Sequence, residues 1–337
     1  MNRKKILITG ASGFIGSTIV DKALALGYET WAGIRERSSR AYLQDERIRF
    51  IDLAYHDKKR LTEQLREFAT EEGRFDYIVH VAGLTKALRK TDFDRVNYEQ
   101  TRHFAEALIE AGVVPDTFVL MSSLSALGVG DEIGYNPSAC DLPANPNTVY
   151  GKSKLKAESY LQGLDSFPYL IIRPTGVYGP RDRDYYLLMK AVQRGLNVGV
   201  GYRKQLLSFI YSEDLADVIF LLLEKGVTRQ TFVVSDGDCY TDTEFNAIVQ
   251  EVLRRKRVIR LKLPLSLVRP AAFLSEKVAG ILGKPTAFNS DKYHIMKQRN
   301  WACDISPLQE AVGFKPKYRL KEGVEKTVAW YKEQGWL

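Results

Sequence analysis

Tyr150-Gly151-Lys152-Ser153-Lys154 sets a phenol and an ammonium four residues apart, which on a helix is one turn apart on one face. A tyrosine hydroxyl with its ordinary pKa near 10 is a poor base at neutral pH. Lowering it by ~3 units takes about 4 kcal/mol of preferential anion stabilisation. A lysine one turn away and an oxidised, cationic nicotinamide could together supply it, so the pair reads as proton-transfer machinery beside a hydride carrier. Upstream, Met121-Ser122-Ser123-Leu124-Ser125 ends a strand pattern with hydroxyls that could hold a substrate oxygen or merely form the loop.

The hydride carrier has its own signature. Gly10-Ala11-Ser12-Gly13-Phe14-Ile15-Gly16 follows a strand pattern and opens a helix pattern. Its glycines allow a tight turn, close backbone approach to a pyrophosphate and close helix packing, and the helix N-terminus supplies the anion site. The adenosine end is read at the close of the second strand, where an acidic residue marks NAD and an arginine marks NADP. That position reads Ala32-Gly33-Ile34-Arg35, with Arg37 following. The carboxylate is missing and guanidinium groups suited to phosphate stand next to it, which favours NADP over NAD.

The elements that must position these groups alternate. Strands are predicted at 6–9, 28–34, 49–51, 77–81, 117–122 and 169–172, all after the second read as buried, with helices at 14–26, 61–70, 99–112 and 150–164. Repeated βα units predict an α/β fold, a doubly wound parallel sheet of the Rossmann type covered by helices on both faces. Regularity loosens after Arg173-Pro174, so residues 1–175 are expected to form the NAD(P)-binding domain and 176–337 mostly a smaller substrate-binding lobe. Segments near 209–215 and 231–235 are expected to return to the Rossmann domain, and residues 181–208 to hold a helix and a glycine-rich turn.

The 337 residues are 45% apolar and 27% charged, a globular composition with enough chain for about two domains. Cys140, Cys239 and Cys303 are few and scattered, which excludes a disulfide framework or a C-x-x-C site and fits a reducing cytoplasm. No metal site is predicted. The apolar stretch 261–282 is interrupted by Arg269, Pro270, Glu276 and Lys277, and the basic start Met1–Lys5 runs into a strand, so neither a transmembrane segment nor a signal peptide is expected. The net charge of +8 concentrates at Arg254-Arg255-Lys256-Arg257, with Arg260 and Lys262 beyond. Such cations could meet phosphates or an anionic membrane. They also follow a helix opened by the capping box Thr241-x-x-Glu244, where they would complement the helix dipole.

The combination of motifs resembles the extended short-chain dehydrogenase/reductase family, the NAD(P)-dependent epimerase/dehydratase group, over nearly the whole chain. The resemblance maps its adenine-side pair onto Asp52-Leu53, its cofactor loop onto His80-Val81-Ala82-Gly83, and its helix asparagine onto Asn97. It maps a further element onto Arg173-Pro174 through Tyr178-Gly179-Pro180. Cofactor contacts are thereby implied for Gly10, Ser12, Gly13, Phe14, Ile15, Gly16, Arg35, Asp52, Leu53, Val81, Ala82, Gly83, Tyr150, Lys154 and Pro174. The family's serine is found by counting back from a Tyr-Gly pair that stands here as Leu127-Gly128, which selects Ser123 and leaves Ser122 and Ser125 as pocket candidates.

In the implied mechanism Tyr150 is the general acid or base, Lys154 lowers its pKa and binds the nicotinamide ribose, and Ser123 orients the substrate oxygen. Asn97 holds a bend and a relay water, or satisfies a neighbouring backbone. The Gly-Ile-Arg end of strand two and the stretch from Leu263-Pro264-Leu265 to Lys284-Pro285 resemble the dihydroflavonol-reductase and 3β-hydroxysteroid-dehydrogenase branch, which implies hydride exchange with a carbonyl or secondary alcohol of a small or hydrophobic substrate. The alternatives are a nucleotide-sugar epimerase or dehydratase with retained NAD, in which Arg181, Arg183, Arg194 and Arg203 meet a diphosphate, or a non-catalytic NADP-sensing or nucleic-acid-binding protein. Nucleic acid is not the expected partner. A homodimer is, through helices 99–112 and 150–164, with Phe104, Leu108, Ala157 and Leu161 as apolar material.

Overall fold

Six chain segments alternate side chains between two apolar environments, and that alternation builds the molecule. A computed structural model describes residues 3–283, 286 and 288–337; Met1-Asn2 and the Lys284-Pro285 end of the resemblance lie outside the described residues. The strands are β1 (Lys5–Thr9), β2 (Glu29–Gly33), β3 (Arg49–Ile51), β4 (Tyr77–His80), β5 (Thr117–Met121), β6 (Tyr169–Pro174), β7 (Gly176–Tyr178), β8 (Leu196–Val200), β9 (Leu206–Leu207), β10 (Phe209–Tyr211), β11 (Gln230–Val234), β12 (Tyr240–Thr241) and β13 (Ile259–Leu263). The helices are α1 (Phe14–Ala25), α2 (Lys58–Glu72), α3 (Thr91–Phe93), α4 (Gln100–Ala111), α5 (Leu124–Leu127), α6 (Val149–Gln162), α7 (Asp184–Gln193), α8 (Ser212–Glu224), α9 (Asp242–Val252), α10 (Leu265–Leu282), α11 (Ser290–Lys297), α12 (Ser306–Val312) and α13 (Leu320–Glu333).

Seven strands form one parallel sheet in the order β11-β6-β5-β4-β1-β2-β3. Ile6, Ile8, Val79, Val119 and Ile172 face α1 and α8, whereas Leu7, Ile78, Phe118, Leu120 and Ile171 face α2, α4 and α6. Successive residues of a strand point to opposite faces, so a run that is apolar at every position buries both. The sheet is doubly wound. Chain order reverses between β1 and β4, and crevices outside the carboxyl ends of strands at such a reversal are where α/β sheets bind ligands.

Two expectations are corrected. β3 is not a buried strand: it is the sheet's outer edge, with Arg49 exposed and paired to Glu72 at 2.8 Å. β10, expected near 209–210, does not return to the sheet but pairs in parallel only with β7. The rest of that segment does return: α8 packs on α1 and places Leu215, Val218, Ile219 and Leu222 in the core of that face. β11 joins β6 in register Gln230↔Leu170 through Val234↔Pro174. Much of the C-terminal half forms a separate aromatic-rich core in which Tyr178, Phe209, Tyr211, Phe245 and Tyr331 are buried together with α7, α9 and α13, while Ile305, Leu308 and Phe314 pack back on the sheet's core. There the capping box forms as its spacing predicts, Thr241 and Glu244 closing the start of α9.

Candidate functional site

The glycine loop sits at the reversal because only glycine fits there. Gly10 has φ +63°, and a Cβ on it would lie 2.8 Å from the Ala82 nitrogen across the gap between β1 and β4. A Cβ on Gly16 would run into the Gly10 carbonyl. α1 therefore packs as close as two backbones allow, and it begins at Gly13 with no side-chain cap and no acidic residue in its first turn. Its first amide N–H groups are left for an anion. A cleft of about 1870 Å³ opens over this loop. It is lined by Gly10, Ser12, Gly13, Phe14, Ile15 and Gly16, and further along by Arg35, Asp52, Leu53, Val81, Ala82, Gly83 and Ser123. These residues fit a dinucleotide: a narrow glycine cradle with free N–H groups at the middle, and cations at one end.

At that end Arg35 and Arg37 are exposed, and among the described residues neither enters an ion pair. Asp52 accepts the Glu36 N–H at 2.9 Å, which fixes the loop between β2 and the edge strand. Of the expected contacts Pro174, Tyr150 and Lys154 do not line the cleft. Pro174 is the one set aside from it at the sheet. It is buried at the end of β6 beside Val234, and the cleft wall there is Thr175 and Val177 instead.

At the other end α6 carries Tyr150 and Lys154 beneath the cleft wall. Thr148 caps the helix by accepting the Gly151 N–H at 2.9 Å, and Asp291 of α11 accepts the Tyr150 N–H at 3.0 Å. An anion at a helix start is favourably placed. Burial pushes the Tyr150 phenol up to about 12, with the Ser123 hydroxyl opposing through a hydrogen bond. Burial pulls the Lys154 ammonium down to about 8, with the Glu158 carboxylate one turn on opposing it. Lys154 Nζ donates to the Met121 carbonyl at 2.8 Å, and a Cβ on Gly83 would lie 3.1 Å from it. The ammonium thus lies just under the cofactor loop. Ser123 caps α5 by accepting the Ser125 N–H at 3.1 Å.

Ser122 does not face the pocket. It is buried and donates to Glu158, which also receives Arg173 at 2.7 Å, and Arg173 donates on to the Cys140 carbonyl at 3.1 Å. Glu158 and Arg173 hold the ground behind the pair. The Lys154-x-x-x-Glu158 spacing, a further helical turn, was the signal that could have found them. Leu127, where the family has tyrosine, is buried with Leu124 and Val233 rather than lining the cleft.

Asn97 lies in a π-helical turn, Asp94–Glu99, and its side chain is fully engaged. Oδ1 accepts the Leu84 N–H at 2.7 Å, and Nδ2 donates to the Leu84 carbonyl and to Ser153 Oγ, each at 3.0 Å. It holds the bend and the loop after β4 by satisfying backbone. Its own carbonyl accepts Thr101 Oγ1 at 2.8 Å. Of the four arginines set aside for a diphosphate, Arg181 and Arg183 line the cleft and Arg194 and Arg203 do not. Arg181 pairs with Asp21 at 2.8 Å and lies over the Tyr42 ring; Arg183 lies over Trp336. Phe104, Leu108, Ala157 and Leu161 are all fully buried against their own sheet and offer nothing to a second chain. Among the described residues no cluster could hold a metal, and no helix is long and apolar enough to cross a membrane.

Comparison with known proteins agrees with this fold. The profile of the NAD dependent epimerase/dehydratase family matches residues 6–235. The chain is 28% identical to a ceramide reductase of Caulobacter vibrioides, over 99% of this chain and 96% of that one. It is 24% identical to the decarboxylating sterol-4-alpha-carboxylate 3-dehydrogenase of Saccharomyces cerevisiae, over 97% and 98%. Among solved structures, a UDP-glucose 4-epimerase from Thermotoga maritima with UDP-glucose superposes with a TM-score of 0.77 at 20% identity, covering 98% of this chain and 99% of that one.

Proposed function

The chain belongs to the NAD-dependent epimerase/dehydratase family and is an NAD(P)-dependent enzyme, and from that premise we propose that it interconverts a ketone and a secondary alcohol on a bulky, hydrophobic substrate. The observation that carries the reading is the desolvated Tyr150–Lys154 pair under the cleft wall, with Ser123 beside the phenol. A bound nicotinamide supplies or takes up the hydride. In reduction Tyr150 Oη gives its proton to the oxygen that gains negative charge, a role suited to a phenol held in its neutral form. Ser123 Oγ donates to the same oxygen and fixes its orientation. Lys154 Nζ stabilises the phenolate left behind and reaches the ribose side of the cofactor loop. Gly10, Gly13 and the first N–H groups of α1 hold the pyrophosphate. Arg35 and Arg37 favour NADP at the adenosine end, where they enter no ion pair among the described residues.

The substrate class is supported by the apolar wall that Leu84, Val177, Tyr185 and Leu188 give the cleft. It is also supported by the two relatives, whose names point to a ceramide and a sterol carboxylate. A nucleotide-sugar epimerase is the second reading, favoured by Arg181 and Arg183 in the cleft; Arg181 is tied to Asp21 through one nitrogen while its Nη1 has no partner among the described residues, Arg183 lies over Trp336, and two of the four expected cations are elsewhere.

The test is to denature the purified protein, identify any released nucleotide, and titrate the empty protein with NADPH and NADH before assaying long-chain and polycyclic ketones. Freely exchanging NADPH, weakened about ten- to a hundredfold by Arg35→Asp, fits the loss of one charged hydrogen-bonded contact. Tightly retained NAD and no ketone turnover would sink the reductase reading in favour of the epimerase.

A further inference from the structure

The outward side of α10 is apolar. Leu267, Leu274, Val278 and Ile281 fall on one helical face and are 61%, 64%, 46% and 86% exposed. A surface helix ordinarily turns such a stripe toward the core. Here the core contacts come from Val268 and Ala272 instead, and the stripe is left outside.

The ribbon before it is built the same way. Among the described residues β8 and β13 pair only with each other, setting Leu196 beside Ile259 and Val198 beside Leu261. Paired residues that alternate along a ribbon share one face. All four of these are exposed, Ile259 at 73%, while the opposite face buries Asn197 and ties Lys262 to Asp242 at 3.4 Å. β13 runs through Pro264 straight into α10, so the two apolar surfaces follow one another along the chain. Cations border them. Arg254, Arg255, Lys256 and Arg257 are exposed immediately ahead of β13, and Arg269 is exposed on α10. The ion pairs formed nearby among the described residues, Lys262–Asp242, Lys321–Glu251 and Lys90–Glu276, include none of these.

We propose that α10 and the β8–β13 ribbon dock on an anionic lipid bilayer, with the apolar side chains entering the boundary between headgroups and acyl chains and the cations meeting lipid phosphates. An apolar helix face bordered by Lys and Arg is the form that lies in a membrane interface. Charge selects this occupant over a second copy of the chain: with a net charge of +8 and cations along the rim, a second copy would bring like charge to like. Docking also has a place in the enzyme's geometry. α11 packs on α10, and its Asp291 accepts the Tyr150 N–H, so the membrane surface lies one helix from the reacting phenol. Exposure and charge define this surface, whatever the substrate of the reaction proposed above.

The full-length protein is to be sedimented with vesicles of phosphatidylcholine alone and of phosphatidylcholine mixed with phosphatidylglycerol. Binding is expected to the mixed vesicles and to weaken as salt is raised. Leu274→Asp/Ile281→Asp and, separately, Arg254→Glu/Arg255→Glu should each weaken it about tenfold or more. All four positions are exposed, so the melting temperature and NADPH titration of both variants should match wild type. Absence of binding to either vesicle overturns the proposal. So does self-association of the wild type that Leu274→Asp abolishes, which would make the face a contact between copies.

Discussion

Tyr150 is held as an acid. With its phenol pushed to about 12 and Lys154 pulled to about 8, the free protein at neutral pH presents a neutral hydroxyl beside a mostly protonated ammonium. For reduction, kcat/KM should be flat up to neutral pH and fall through a midpoint near pH 8 as Lys154 loses its proton. Lys154→Met should remove that break, and Tyr150→Phe should lower kcat by about 10²–10⁴, the usual contribution of a positioned proton donor. Unchanged activity in Tyr150→Phe would end the assignment. Behind the pair, Arg173→Met leaves the Glu158 carboxylate buried without its partner and should cost about 3–5 kcal/mol in urea unfolding. His80 gives a pH signature of stability. Buried against Thr9, it is pulled down to about 3 from 6.5, so the unfolded chain binds its proton first. Its contribution is complete above pH 6.5 and is lost as pH falls toward 3. Asp182 and Asp236, pushed up to about 6 by burial, act in the opposite sense, so the check is the difference between wild type and His80→Gln across that window. Much of this site was legible because Tyr150, Lys154, Gly10 and Gly16 are close in sequence or tied to one turn. Asp291 was not, since it reaches Tyr150 from 141 residues away and no local spacing records that.

The elements were legible wherever one face of a periodic segment had to be buried. The strands of the sheet lie within a few residues of their predicted positions because their central positions, such as Ile6-Leu7-Ile8, Ile78-Val79 and Leu170-Ile171-Ile172, are consecutively apolar, and α1 starts where Gly13 ends the loop. The π-turn around Asn97 was hidden, because a single extra residue in a helical turn leaves the apolar spacing of Phe104 and Leu108 intact. The pairing of β8 with β13 was hidden as well: their apolar residues alternate correctly for strands but face outward, where no burial rule chooses a partner. Gly16→Ala tests the tightest element contact. The added methyl would meet the Gly10 carbonyl and the Ala11 Cα, both backbone, so overpacking of about 1–3 kcal/mol and loss of nucleotide binding are expected, read by melting temperature and NADPH titration.

Across the whole molecule, the inward residues of α4 and α6 are spent on their own sheet. Any dimer through these helices has to be built from outer residues such as Ile109, which is 46% exposed, and Tyr160. Sedimentation velocity should then show a dimer that Ile109→Asp dissociates, and a monomer at every concentration would end that expectation. The order of the sheet carries a further consequence for synthesis. β6 is complete once residue 174 has been made, but the strand that covers its free edge, β11, begins only at residue 230. Until then the growing chain presents an apolar strand edge with unpaired amides, the kind of surface on which nascent chains stick to one another. The intervening residues build β7, β10 and α8, so the nucleotide fold cannot close on the ribosome before part of the second lobe has been translated. A fragment ending at residue 175 should therefore aggregate rather than fold as a free-standing nucleotide-binding unit.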